Sequence, residues 1–142
     1  MRAVLIPVGE PPREVNLPNG GSRFMRSIRA LIGTDCAERI QVTTRWEAWL
    51  DENGASAGKP VNQAATLLAQ SFGWQLSLRG TTVIVGLDKA ADTPADLVPH
   101  QIEVMLRKIR LSDRPGAGTR LPVLVPAAGA AGPGYAAAVP AR

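Results

Sequence analysis

The sequence contains few of the side chains that build metal centres and thiol-dependent active sites. Among its 142 residues there is one cysteine, Cys36, and one histidine, His100. A single cysteine excludes an internal disulfide and a thiolate metal cluster. Cys36 and His100 would form a nucleophile–base pair only if the fold brought them together, and single residues of these types are more often merely packed or exposed. We therefore predict no metal site, no cofactor and no catalytic residue.

Long hydrophobic runs are also missing. The apolar run that begins at Ala3 is broken by Pro7 and Glu10, which makes it too short for a signal-peptide core or a membrane span. We expect no membrane contact and a cytoplasmic location. Hydrophobic residues nevertheless make up 45% of the chain and charged residues 20%. That composition is typical of a folded domain, and the length predicts one domain.

The positive charge is unevenly distributed. Residues 1–100 hold ten basic and ten acidic residues, whereas residues 101–142 hold six basic and two acidic ones. A basic C-terminal arm can contact phosphates without sequence preference, and Arg107, Lys108 and Arg110 are the candidate contacts. No aromatic residue lies between Arg107 and Arg120. The alternative is a solvated helix face followed by a passive tail.

The first part of the chain predicts a strand pair followed by a helix. Ala3–Val8 and Arg13–Leu17 are typical of two strands in a short hairpin. Apolar residues at helical spacing then run to Ile32, with Gly33 placed to end the helix in a left-handed conformation. The Asn or Ser side chains of the segment 19–22 can cap its beginning.

An arginine recurs at every third position of this predicted helix, at Arg23, Arg26 and Arg29. These side chains would lie away from the apolar face. They are either an anion-binding face or simply the solvated side of an amphipathic helix.

The following segment is ambiguous between helix and strand. Glu38–Thr44 alternates as a strand does. In the stretch after it, Trp46, Trp49 and Leu50 fit one face of a helix, whereas Trp46, Ala48 and Leu50 fit one face of a strand. The turn-forming residues 51–54 favour a strand that enters a loop. On a strand, Trp49 points away from Trp46, and we expect one of the two to be only partly buried. A half-exposed Trp49 would suit an interaction surface; the alternative is that it packs beneath the loop 55–59.

The second half of the domain predicts a helix, a central strand and a last helix. Asn62 is a candidate N-cap for an apolar helix that ends near Gly73. The β-branched run Thr81–Val85 predicts a strand buried on both faces, hence a central one. The last helix extends from about Pro99 to Leu111, with apolar residues on one face.

Beyond residue 111 the composition changes. Nineteen of the 31 residues from Ser112 to Arg142 are Gly, Ala or Pro, which predicts a disordered, flexible tail. Its one apolar island, Leu121–Pro126, could dock on the domain or remain passive. The sequence as a whole predicts a single α+β domain at 1–111, with a mainly antiparallel sheet and about three helices, followed by a tail at 112–142.

Three short segments carry a resemblance to a known family. The turn Asp51-Glu52-Asn53-Gly54, the helix start Pro60-Val61-Asn62-Gln63-Ala64 and the strand Gly80–Gly86 resemble the DUF3846 family of small domains of unknown function. The resemblance covers about residues 2–111. It implies a protein carried by bacteriophages, plasmids or related mobile elements, and it implies no known activity, cofactor or catalytic residue.

Three functions follow from these patterns as hypotheses. The first is a non-catalytic accessory protein of a mobile element that binds a host or element-encoded protein. Its surface would consist of Trp49, Asn53 and Lys59, together with the arginines of the first helix. The second is a nucleic-acid-binding protein that uses the basic last helix and the tail. The third is a small-molecule binder with a pocket between the sheet and the helices.

Overall fold

In the part of the chain that the structure describes, seven strands pair antiparallel in one sheet, and three helices pack on it. The computed structural model describes residues 1–112 and 138–140. The strands are β1 (Arg2–Ile6), β2 (Arg13–Asn16), β3 (Ala37–Gln41), β4 (Trp46–Asp51), β5 (Thr82–Asp88), β6 (Thr93–Ala95) and β7 (Ala138–Pro140); the helices are α1 (Gly21–Ile32), α2 (Gln63–Gln70) and α3 (Pro99–Ser112). The strand order is β2-β1-β5-β4-β3-β7, with β6 paired to β5. The predicted α+β fold is confirmed.

Strand β5 lies in the middle of the sheet, between β1 and β4. Val83, Ile84 and Val85 are each at most 1% exposed. The prediction of a central strand buried on both faces is therefore confirmed. β-Branched side chains suit this position because they pack well on a pleated surface that is covered from both sides.

The two faces of the sheet carry different helices. Val4, Ile40, Trp46 and Ile84 pack in one cluster with residues of α2 and α3. Trp49 and Val83 pack in a second cluster with Phe24 and Ile28 of α1. Successive strand side chains point to opposite faces, so Glu47 and Asp51 share the α1 side of β4 with Trp49.

Helix α1 begins differently from the prediction. Its N-cap is Gly20 at φ 71°, and no side chain caps the first turn, so the predicted cap from Asn19 or Ser22 is wrong. Gly21 also has φ 71°, a conformation that glycine adopts without steric cost. Ser22 already lies inside the helix, where its side chain no longer occupies the capping position. At the other end, Gly33 closes the helix at φ 80°, as predicted.

Helix α2 begins at the predicted cap, because the side chain of Asn62 accepts a hydrogen bond from the backbone N–H of Ala65 (3.0 Å). The Asn62 amide also donates to the carbonyl oxygens of Ile6 and Gly80. The helix ends earlier than predicted, with Ser71 rather than Gly73 next to its last turn.

Strand β6 was not predicted from the sequence, since a three-residue strand with a central proline carries little local signal. It pairs with the end of β5, where Gly86 allows a close approach. A Cβ at Gly86 would lie 2.7 Å from the carbonyl oxygens of Ala95 and Asp96. This pairing places the turn that contains Asp92 beside the α1 face of the sheet.

Part of the C-terminal segment also joins the sheet, because β7 pairs with the outer edge of β3. The remaining tail residues, including the apolar island Leu121–Pro126, lie outside the described residues. None of the described helices is long and apolar enough to cross a bilayer.

Replacing Ile84 with Ala should destabilise the domain by about 2–5 kcal/mol, because it opens a cavity in the middle of the sheet. The loss is measurable by urea denaturation. Val98→Ala is the matched control: Val98 is 49% exposed, and its truncation should change the free energy of unfolding by no more than about 0.5 kcal/mol. A loss below about 1 kcal/mol for Ile84→Ala would contradict the central position of β5.

Candidate functional site

A cavity of about 510 Å³ lies between α1 and the sheet. We call it the α1 cavity. Its walls come from the beginning and one side of α1, from β3 and β4, and from the turn and strand at β6. The lining residues are Gly20, Gly21, Ser22, Phe24, Met25, Arg29, Arg39, Trp49, Asp92 and Pro94.

A network of charged side chains borders the α1 cavity: Arg39 and Asp92 line it, and Glu47 is buried beneath Arg39. Arg39 of β3 donates through Nη1 to Oε1 of Glu47 at 3.3 Å and through Nη2 to Oδ2 of Asp92 at 2.8 Å. The side chains of Arg39 and Glu47 are 16% and 1% exposed, whereas that of Asp92 is 66% exposed. Arg39 therefore links a buried carboxylate on the sheet to an exposed one at the rim.

Glu47 is an ionisable group in an apolar layer. Burial raises its pKa above the ordinary value, against the opposing effects of Arg39 and of the indole of Trp49, which donates to Oε2 at 2.9 Å. The hydrogen bond with Asp92 is the largest cause that raises the pKa of Arg39, and burial opposes it. Both Glu47 oxygens thus have donors, as a carboxylate at this depth requires.

Trp49 is 4% exposed, and so is Trp46. The prediction that one of them is only partly buried is wrong. Phe24 of α1 meets Trp49 edge to face with ring centroids 5.7 Å apart, and Phe72 meets Trp46 in the same way at 5.2 Å. Both rings are buried because helices cover both faces of β4. Trp49 forms part of the α1 cavity wall and is not an exposed anchor for a macromolecule.

The three α1 arginines do not form one flat patch. Each step of three residues rotates the side chain by about 60° around the helix. Arg29 is half-buried and lines both the α1 cavity and a neighbouring groove of about 610 Å³, which we call the α1 groove. Arg26 is exposed and lines only the groove, and Arg23 is exposed and lines neither.

Of the two loop residues predicted as partner contacts, Asn53 and Lys59, Lys59 is engaged within the domain itself. Lys59 pairs with Asp51 (Nζ–Oδ2 2.8 Å), and its carbonyl oxygen accepts a hydrogen bond from Arg79. Burial acts to raise the pKa of Asp51, but hydrogen bonds from Lys59, the backbone of Asn53 and Thr34 outweigh it and hold the pKa below its ordinary value. The side chain of Asn53 is exposed on this loop, and neither Asn53 nor Lys59 lines the α1 cavity.

The three basic residues of α3 also differ from one another in their surroundings. Arg107 pairs with Glu103 at 3.5 Å, and the Lys108 ammonium lies 5.2 Å from the centre of the Phe72 ring. Arg110 is exposed. Nucleic-acid binding through these three residues stays a prediction.

The Cys36–His100 pair does not form. Cys36 is exposed just before β3. His100 lines a separate cavity of about 360 Å³ with Thr43 and Trp46, at the other end of the β3–β4 hairpin. The five-residue strand β3 lies between these two ends and spans roughly 17 Å. Among the described residues, no group of three or more His, Cys, Asp and Glu side chains is placed to hold a metal ion.

Sequence reasoning singled out two of the residues that line the cavity, Trp49 and Arg29, but missed Arg39 and Asp92 and their buried partner Glu47. Glu47 carried a usable signal, because an acidic residue inside an apolar strand must find a donor if the strand is buried. Its partners could not be identified, since Arg39 depends on strand register and Asp92 lies 53 positions from Arg39 in the chain.

One protein family matches the chain. The model described as a domain of unknown function (DUF3846) matches residues 1–110, a range that includes every residue of the α1 cavity. No curated protein and no solved structure matches the chain at a significant level.

Glu47→Gln should change how stability depends on pH. Because the pKa of Glu47 is raised on folding, the folded chain holds this proton in the pH range between the unfolded and the folded pKa, where the unfolded chain has already released it, and the contribution of Glu47 to stability falls as pH rises through that range from the ordinary value of 4.5. The free energy of unfolding of the wild type, minus that of Glu47→Gln, should therefore decrease from about pH 4 towards neutral pH. Urea denaturation at constant ionic strength measures this difference.

Glu14→Gln, at an exposed position of β2, corrects for the removal of one surface carboxylate. A wild-type-minus-Glu47→Gln difference that rises with pH would show that Glu47 is stabilised in its charged form, against the expected dominance of burial.

Proposed function

We propose a function for this chain, which belongs to the DUF3846 family of domains of unknown function: it is a non-catalytic binding protein whose α1 cavity holds a small molecule. The observation that carries the proposal is a cavity in which apolar side chains and a few polar groups converge between α1 and the sheet. Sites for small ligands generally have this combination and volumes of about 300–1,000 Å³.

The walls of the α1 cavity are suited to an organic ligand. Phe24, Met25, Trp49 and Pro94 offer apolar surface, and the Phe24–Trp49 ring contact holds two of these walls in place. Arg39 and Asp92, which are paired with each other, add a donor and an acceptor to this surface. A preorganised site of this kind binds with little loss of side-chain entropy.

The proposal includes no reaction. Both oxygens of Glu47 accept hydrogen bonds, from Arg39 and from Trp49, and the carboxylate lies buried beneath Arg39. A general base needs an oxygen within hydrogen-bond reach of a substrate proton. Glu47 is 1% exposed and does not line the α1 cavity, so neither of its oxygens is within reach of a ligand there.

Native mass spectrometry of the full-length chain, purified gently from its natural host, tests the proposal. We expect a mass increment of small-molecule size on the wild type. The increment should disappear in Met25→Trp, because the larger side chain fills the α1 cavity from its α1 wall. Val98→Trp makes a similar change at an exposed residue and should leave the increment in place.

Melting curves of both tryptophan variants confirm that they are folded. An increment that persists in Met25→Trp would place the ligand elsewhere. A wild-type chain that carries no ligand, even after incubation with the small-molecule fraction of a host extract, would contradict the proposal.

A second candidate function is binding to an acidic macromolecular partner, such as a host or element-encoded protein, through the exposed side of α1. Arg23 and Arg26 favour it, because both are exposed and neither pairs with an acidic side chain among the described residues. Arg26 also borders the α1 groove. An accessory role for a mobile-element protein would require a surface of this kind.

Charge reversal distinguishes this surface from the basic residues of α3. Arg23→Glu/Arg26→Glu should abolish capture of the partner from host lysate, whereas Arg107→Glu/Arg110→Glu makes the same charge change on α3 and should not. Equal loss in both variants would indicate unspecific charge attraction. Capture of nucleic acid that is lost only in the α3 variant would favour the nucleic-acid hypothesis instead.

A further inference from the structure

Arg29 carries the one buried side-chain nitrogen or oxygen that has no hydrogen-bond partner among the described residues. That atom is its Nε. A buried donor without an acceptor costs about 1–3 kcal/mol, so native proteins rarely leave one unpaired. Nε itself is closed off from the α1 cavity, but Arg29 lines this cavity and its two Nη groups are neither buried nor paired among the described residues, so an acceptor in the cavity can reach them.

The charges around the α1 cavity point to the same residue. Arg39 is shared between two carboxylates, those of Glu47 and Asp92. Arg29 has no ion pair with any described residue. The formal charges of the two arginines and the two carboxylates sum to zero, but both carboxylates lie against Arg39 and neither lies against Arg29. One positive charge therefore remains uncompensated at the α1 side of the cavity.

The beginning of α1 adds donors on the same side. No side chain caps its first turn, and the first turn holds no acidic residue, so its leading N–H groups and the positive end of the helix dipole are left for another acceptor. Side chains on a helix lean towards its N-terminus. The Arg29 guanidinium is therefore directed back along the ridge that carries Met25 and Ser22, which line the same cavity.

We propose that the ligand of the α1 cavity is a small organic acid, whose single carboxylate, or an oxyanion of similar size, pairs with Arg29 while its apolar body packs on Trp49, Met25 and Pro94. This inference rests on the proposed function of the same cavity. Guanidinium groups bind carboxylates through two parallel hydrogen bonds. The carboxylate of Asp92 at the rim disfavours ligands with several negative charges, because it would repel the additional ones.

The test uses full-length, ¹⁵N-labelled protein and pairs of probes that differ only in charge. The acids are benzoate, phenylacetate and indole-3-acetate, and each is compared with its neutral amide; adenosine triphosphate serves as the polyanion. Chemical shifts of the Trp49 indole N–H and of the Gly21 and Ser22 amides report binding in the α1 cavity. We expect at least one acid to bind, and to bind at least tenfold more tightly than its amide and than the polyanion.

Matched variants assign the effect to Arg29. Arg29→Gln should weaken binding of the acid at least tenfold and leave binding of the amide unchanged, and Arg29→Lys should recover part of the affinity. Arg23→Gln removes the same charge from the same helix at a position outside the cavity and should change affinity by less than twofold. Since Nε of Arg29 has no partner to lose, Arg29→Gln should melt at or above the wild-type temperature.

Different outcomes separate this inference from the proposed function. If amides bind as tightly as acids and Met25→Trp abolishes binding of both, the cavity is a ligand site but the inference that its ligand is an organic acid is wrong. If acids bind equally to the wild type and to Met25→Trp, both proposals fail. If no acid shifts the reporting signals at millimolar concentration, the inference of an organic-acid ligand is overturned, and native mass spectrometry still decides whether the cavity holds another ligand.

Discussion

Strands β4 and β5 lie between helices on both faces, so each of their buried side chains must be apolar or must have its polar atoms satisfied. Val83, Ile84 and Val85 meet this condition by being apolar. The same condition explains why both tryptophans of β4 are buried, each against a phenylalanine on its own face. The arrangement of the helices therefore leaves neither tryptophan exposed, and Trp49 instead forms part of the wall of the α1 cavity.

The polar residues of β4 satisfy the condition in two different ways. Asp51 lies at the end of the strand, where Lys59, Thr34 and a backbone N–H reach it from the surface, and these donors favour its charged form. Glu47 lies deeper and depends on Arg39 and Trp49, which only partly offset its burial. A buried ion pair of this kind contributes little net stability but places its partners at defined positions. Here it places Arg39 at the border of the α1 cavity.

Arg29 connects the two surfaces that helix α1 presents. Its side chain borders the α1 cavity, where a small molecule would lie, and the α1 groove, where a larger partner would dock. Arg26 and Arg23 lie progressively further around the helix, because a spacing of three residues falls short of one full turn. One repeated sequence motif thus yields three different environments. Only the innermost arginine has a buried donor that lacks an acceptor in the described part of the chain.

By itself, the sequence determined the elements whose signals are local. The β-branched run specified β5, Asn62 specified the beginning of α2, and Gly33 specified the end of α1, because strand propensity, capping and left-handed backbone each act within a few residues. Only the tertiary structure decided which side chains meet. Arg39 reaches Glu47 through strand register and Asp92 through β6, and Trp49 is buried because α1 crosses over it. These contacts join residues that are distant in the chain, so the open cavity that they border had no signature in any single segment.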